Sequence, residues 1–320
     1  MEENKKQLIK RLCESWINSA YQTDGSIGIG VNTEKFRLLT NNIVFHELTY
    51  EETQAACVGL THVLLLKGMN TIIDRDHLVF WSWMGELFSS RETGYFGTEE
   101  FQIQKLFEVV IRASLAGIQP PVRNQEEWEV QNQIRELTEF NTLQLVTNSS
   151  LVQAYLVFPL LEAVIKKACR EYIDYSGKVI TDFTVSKKDG TIQNYGCSGQ
   201  GKRFCSSLRD LLFLLYYNVA DVDLKEQITL VRQHIFELDN QEDPFDLIYR
   251  WRNSSLHGET SYPTIGGTLL NLVILIALAE IKQNYELIKS KTWSRVQWEL
   301  QSFNYTKHRS PWSFYPPFWS

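Results

Sequence analysis

Leu269-Leu270-Asn271-Leu272-Val273-Ile274-Leu275-Ile276-Ala277-Leu278-Ala279 decides the reading of this chain as a helical bundle. The run lies in a long apolar helix expected from about Gly267 to Ile288, and it and Leu211–Val219 are too short or too interrupted to span a bilayer. Upstream the chain turns through Ser255–Gly267. Before that turn a helix opens at Asp243-Pro244, a capping aspartate followed by proline at the first helical position, and it delivers Arg250 and Arg252. Earlier still, Leu151–Ile165 is almost wholly apolar and continues through Lys166–Tyr175 as an amphipathic helix. One charge, Glu162, interrupts it. A carboxylate buried there needs a cationic partner or takes up a proton; alternatively Glu162 sits at the rim of the stripe. Between these helices the period changes. Val179–Val185 and Thr191–Tyr195, joined around Lys188-Asp189-Gly190, read as a β-hairpin. With helices expected at about Lys202–Asn218 and Leu224–Leu238, residues 151–290 form a helical bundle with an inserted hairpin at about 179–195.

The fold class is therefore mainly α. Residues 1–150 read as a helical N-terminal domain of unknown role, bounded by the polar stretch Thr147-Asn148-Ser149-Ser150. Leu8, Ile9, Leu12, Trp16 and Ile17 line one stripe of a helix over Lys5–Tyr21. Thr49-Tyr50-Glu51-Glu52 is a capping box opening a helix to about Lys67, and further helices are expected at Asp76–Ser90, Thr98–Ala116 and Gln125–Val146. Gly25–Val31 reads as a turn or short hairpin, and Asp74-Arg75-Asp76-His77 as a helix entry with acids near the positive dipole end. Residues 291–320 form an aromatic-rich basic tail: Trp293, Trp298, Phe303, Tyr305, Trp312, Phe314, Tyr315, Phe318 and Trp319 alternate with Lys291, Arg295, Lys307 and Arg309. Such residues can stack bases and hold phosphates. Packing back over the protein, or across a dimer interface, produces the same pattern and is the preferred reading.

Composition narrows the function. Hydrophobic and charged fractions of 43% and 22% are those of a globular protein. The N-terminus lacks a secretory apolar core, and Cys13, Cys57, Cys169, Cys197 and Cys205 contain no C-x-x-C, so a reducing, cytoplasmic compartment without disulfides or a zinc site is expected. A net charge of −6 argues against non-specific coating of nucleic acid. Basic residues nonetheless crowd Lys166–Arg209, and among them Lys187, Lys188, Lys202 and Arg203 are candidates for touching RNA phosphates.

Chemistry concentrates in Arg252-Asn253-Ser254-Ser255-Leu256-His257-Gly258. Arg252 offers a permanently charged planar fork that matches phosphate oxygens, and His257 can accept or donate a proton near neutral pH. The bare Arg-x(4–6)-His spacing is weak, since about one match is expected by chance in such a chain. Context strengthens it: Asn253 follows the arginine, Gly258 follows the histidine, Arg250 also fits the spacing, and a long apolar helix comes next.

This combination resembles the HEPN superfamily, helical bundles whose catalytic members carry Arg-polar-x(2–4)-His. The resemblance covers about residues 150–290 and includes Phe158-Pro159-Leu160-Leu161-Glu162-Ala163, similar to the family's apolar helix with an internal acid. It implies a metal-independent endoribonuclease without cofactors, in which the RNA 2′-hydroxyl attacks its own phosphate and leaves 2′,3′-cyclic phosphate and 5′-hydroxyl ends. Arg252, Asn253 and His257 would be catalytic, with Arg250 or Glu162 orienting Arg252. It also implies a homodimer that completes the site, and a toxin-like or antiviral effector with a partner or antitoxin protein. The competing class is a non-catalytic HEPN-like module for dimerisation or ligand binding.

Other motifs fare worse. Gly196-Cys197-Ser198-Gly199-Gln200-Gly201-Lys202-Arg203 matches a phosphate-binding loop, but Arg203 replaces the magnesium-binding Ser or Thr and the preceding strand is polar. There is no H-E-x-x-H, no paired histidine ligands and no G-x-S-x-G.

Overall fold

The helix starts carry the caps written into the sequence. In a computed structural model, which describes residues 4–20, 34–65, 74–91, 93–116, 124–186, 190–199, 201–255, 262–302 and 313–316, α1 spans Lys5–Ala20 and α2 Tyr50–Leu64. Thr49 accepts from the Glu52 amide at 3.3 Å while Glu52 Oε2 accepts from the Thr49 amide at 2.9 Å, a reciprocal box that satisfies two helix-end donors. Asp74 caps α3 (Arg75–Ser89) through the Asp76 amide. A short 3₁₀ turn leads into α4 (Phe101–Leu115). The expected Gln125–Val146 helix is two, α5 (Gln125–Leu137) and α6 (Phe140–Thr147). Then come α7 (Ser149–Ala168), strands β1 (Phe183–Ser186) and β2 (Ile192–Tyr195), α8 (Leu208–Leu214), α9 (Val222–Leu238), α10 (Pro244–Ser255), α11 (Tyr262–Ile281) and α12 (Tyr285–Ser302).

The chain is mainly helical, with one small antiparallel sheet among the described residues, in keeping with the pattern of periods. The hairpin pairs Phe183 with Tyr195 and Ser186 with Ile192, and the Phe183 and Tyr195 rings stack at 4.7 Å. Gly177, at the entry to this region, has φ +84°, and a Cβ there would lie 2.6 Å from the Cys205 carbonyl; only glycine fits.

Helix α11 is the axis of the molecule. It packs against α7, α2 and α9, and no residue from Leu269 to Leu278 is more than 1% exposed. At about 1.5–3 kcal/mol for each fully buried Leu or Ile, this helix is the largest single apolar contribution. It starts at Tyr262, earlier than the expected turn through Gly267 allows. Gly266 and Gly267 serve close packing instead. A Cβ on Gly266 would sit 3.2 Å from the Ala154 backbone, and one on Gly267 would sit 2.7 Å from Leu64. By length and composition α7 and the run through α11 and α12 could each cross a membrane, contrary to the expectation from run length. In the second, 89% of the apolar window is buried inside the protein itself.

The core does not break at residue 150. A single cluster joins Leu12, Trp81 and Phe107 to Leu161, Leu214 and Leu275, and α11 touches α2 as well as α7. Asn271 knits this junction, accepting from Trp81 Nε1 at 2.7 Å and donating to Thr61 Oγ1 at 2.9 Å. The tail boundary at 291 falls inside α12. Of the tail aromatics, Trp293 stacks on His46 with centroids 3.6 Å apart, and Tyr315 Oη bonds His46 Nδ1 at 3.0 Å. Phe314 and Tyr315 donate their amides to Glu86 on α3. These aromatics pack, whereas Trp298 is exposed. Phe303, Tyr305, Trp312, Phe318 and Trp319 lie outside the described residues, as does Gly25–Val31.

Candidate functional site

Arg252 reaches its position through the periodicity of α10. Asp243 accepts from the Phe245 amide at 2.9 Å and starts the helix with Pro244 in its first turn. Phe245 and Ile248 then face the core, and Arg252, at i+7 and i+4 from them, continues that face at its last turn. There it meets α7. Arg252 Nε lies 3.0 Å from Glu162 Oε1, with the carboxylate side chain 18% exposed and the arginine 35%. The approach is an ion pair more than a hydrogen bond, since Glu162 Oε1 makes no well-angled hydrogen bond among the described residues. Glu162 is thus both at the rim and paired, and the two alternatives for it coincide. Its stripe on α7, with Tyr155, Pro159 and Lys166, borders the buried face of Ala154, Phe158, Leu161 and Ile165.

Arg250 does not join this pair. Two residues from Arg252, it is turned by about 200° around the helix, and it holds Asp239 at 2.5 Å and Glu242 at 2.8 Å. Of the two residues expected to orient Arg252, only Glu162 touches it. Asn253 is exposed at the end of α10. His257, Lys187 and Lys188 lie outside the described residues.

Lys202, beside β2, and Arg203 are exposed. Among the described residues of the loop between β2 and Lys202, the first two amides are taken by groups of the protein itself. Gly196 donates its amide to the Lys202 carbonyl at 3.0 Å, and the Cys197 amide donates to Asp182 Oδ1 at 2.9 Å. A carboxylate already holds the donor that a phosphate would need, and these hydrogen bonds keep Asp182 below the usual carboxylate range.

A second cluster was not legible as a unit in the sequence. His62 in the last turn of α2 and His234 on α9 stack with centroids 3.7 Å apart and planes 10° apart. Glu237, one turn after His234, places Oε2 3.2 Å from His62 Nε2 and 3.8 Å from His234 Nδ1. Histidines that are not sequence neighbours are therefore paired in space. The only local trace was His234-x-x-Glu237 at helical spacing. Comparison with protein-family models, curated proteins and solved structures finds no match to this chain.

Proposed function

We propose that the chain is a HEPN-type, metal-independent endoribonuclease that acts as a cytoplasmic homodimer in a toxin-like or antiviral role. The observation that carries the reading is the Arg252–Glu162 pair, because it joins the two segments on which the resemblance rests. Glu162 holds the guanidinium near α7 by charge, through Nε. In the proposed reaction His257 moves the proton of the attacking 2′-hydroxyl or of the departing 5′-oxygen. Arg252 offsets charge building on the phosphorane oxygens. Asn253 orients the scissile phosphate. A second copy supplies the complementary acid or base. Exposed Trp128, Ile134, Leu137, Phe140 and Leu145 on α5 and α6 offer apolar area that a second copy would bury.

The test is cleavage of mixed RNA and tRNA in excess chelator. Wild type is expected to leave cyclic-phosphate ends. Arg252→Ala should lose about 10²–10³-fold, the cost of removing one transition-state donor. His257→Ala should lose about 10²–10⁴-fold. Glu162→Gln should retain folding and lose rate through mispositioned Arg252. A non-catalytic interaction module is the second reading, favoured by the fact that Glu162 already neutralises Arg252. Wild-type inertness toward every RNA, or cleavage unchanged in both alanine variants, would establish that reading instead.

A further inference from the structure

The surface beside the hairpin carries cations that the fold leaves unpaired. Residues 178–179 and 203–205 run antiparallel. The Val179 amide donates to the Arg203 carbonyl at 2.9 Å, and the Cys205 amide to the Gly177 carbonyl at 2.8 Å. Lys178 and Phe204 are therefore a non-hydrogen-bonded pair, the arrangement that brings opposed side chains closest, and both are exposed. Their neighbours Val179 and Cys205 point the other way and are buried. Phe204 is 55% exposed, and Ile180, just beyond Lys178, is 52% exposed. Lys202 and Arg203 lead into the ring and are exposed as well. Lys178, Lys202 and Arg203 make no ion pair among the described residues, whereas Arg37, Lys167, Arg209, Arg232 and Arg295 are each held by a carboxylate.

The acids nearby are engaged elsewhere. Asp174 accepts from the Ser176 amide, the Ser176 hydroxyl and the Lys178 amide at 2.8, 2.6 and 2.9 Å, and Asp182 accepts from the Cys197 amide at 2.9 Å. Glu171 is exposed and makes no ion pair with the three cations among the described residues. An open ring flanked by unpaired cations suits a strand of nucleotides. A base face stacks on the ring while phosphates meet the ammonium and guanidinium groups. A double helix hides its base faces, so such a platform selects single strands. An acidic peptide would satisfy the cations without using the ring.

This surface is also continuous with the Arg252–Glu162 pair. Lys166 lies one turn, about 6 Å, along α7 from Glu162 and on the same stripe. Burial foremost, and then Asp210, raise the pKa of the Cys205 thiol, while the Tyr195 side chain, Lys166 and Lys202 pull it back. Lys166 thus stands close to the strand that carries Phe204.

We propose that Phe204, Lys178, Lys202 and Arg203 form a subsite for single-stranded RNA, in which the ring stacks one base and the cations hold the flanking phosphates. The subsite rests on the ribonuclease reading above, and it gives the substrate a grip beyond the bond cut at Arg252, with Lys166 between the two.

The test uses the wild-type full-length chain and fluorescein-labelled 2′-O-methyl RNA, which lacks the attacking hydroxyl and so stays whole. Anisotropy is read for a short single strand, for the same sequence as a duplex, and for polyglutamate of equal charge. The single strand should bind more tightly than the other two. Phe204→Ala should weaken it about 5- to 150-fold, the loss of one base–aromatic stack, and Phe204→Trp should restore it. Lys178→Ala combined with Lys202→Ala should flatten the dependence of log affinity on log salt by about 0.7 for each phosphate contact removed. Because these side chains are exposed, Tm should not move. The proposal is overturned if the single strand does not bind, if duplex or polyglutamate binds as tightly, or if Phe204→Ala leaves the affinity unchanged. The subsite and the nuclease fail separately. Binding that depends on Phe204 in a chain that cuts no RNA overturns the nuclease and supports the subsite. Cleavage of scarce single-stranded substrate at an unchanged rate in Phe204→Ala overturns the subsite and leaves the nuclease standing.

Discussion

Glu280 shows how a single residue ties stability to pH. It lies near the C-terminal end of α11, 3.9 Å from the buried Lys167 amine, which also pairs with Glu100 at 2.8 Å. Burial pushes the Glu280 carboxyl up to about 7, only partly offset by Lys167 and Arg170. The folded state therefore keeps this proton at pH values where the unfolded chain has lost it. The associated stability is complete below about 4.5 and is lost as pH rises through about 7. Asp76, raised to about 7 mainly by burial, acts in the same direction, whereas His62 and His234, held low by burial, act in the opposite one. The clean readout is a difference. Glu280→Gln should match wild-type Tm near pH 5 and exceed it by pH 8. A difference in Tm that stays constant across that range would refute the assignment. At the same scale Arg252 and Glu162 were both visible in the sequence, as a phosphate-matching fork and as a charge in an apolar run. Which of Glu162 or Arg250 would touch Arg252 was not visible, because that depends on how α7 crosses α10.

Elements were legible where local chemistry sets them. The caps at Thr49, Asp74 and Asp243 are short-range hydrogen bonds between residues a few positions apart, so sequence spacing suffices to place them. The hairpin was readable for the same reason. The start of α11 was not. Gly266-Gly267 reads as a turn locally, yet Ala154 on one side and Leu64 and Trp81 on the other leave no room for larger side chains. Replacing Gly267 by valine should therefore cost about 1–3 kcal/mol through overpacking, despite removing a helix-weakening glycine. Chemical denaturation would measure it. A gain in stability would mean that the helices are less tightly apposed than 2.7 Å to Leu64 implies. Splitting of the expected 125–146 helix into α5 and α6 is a difference for which the described contacts supply no cause.

Over the whole molecule, one core replaces the two expected units. The polar stretch at Thr147–Ser150 looks like a linker because polarity is read along the chain. In space it only separates α6 from α7, and α7 then enters the same core as α2, α3 and α4. A fragment comprising residues 151–290 would expose the faces of α11 that cover α2, together with the unpaired Asn271 amide. It is expected to lack a cooperative thermal transition and near-ultraviolet signal, while the full chain shows both. A fragment with a sharp transition would restore the two-domain reading. The tail follows the same logic. Glu86, 2% exposed, is held by Arg295 at 2.8 Å and by the Phe314 and Tyr315 amides, which ties the chain's end to α3.

By itself the sequence determined the helical class, the hairpin and the helix caps, since each depends on periodicity or on spacings within one or two turns. Tertiary structure alone decided that α11 is shared by both halves, that Glu162 rather than Arg250 meets Arg252, and that His62 stands against His234 and Glu237. Those outcomes rest on which helix faces cover one another. That choice is made by the collective burial of apolar surface around α11, and no local stretch encodes it.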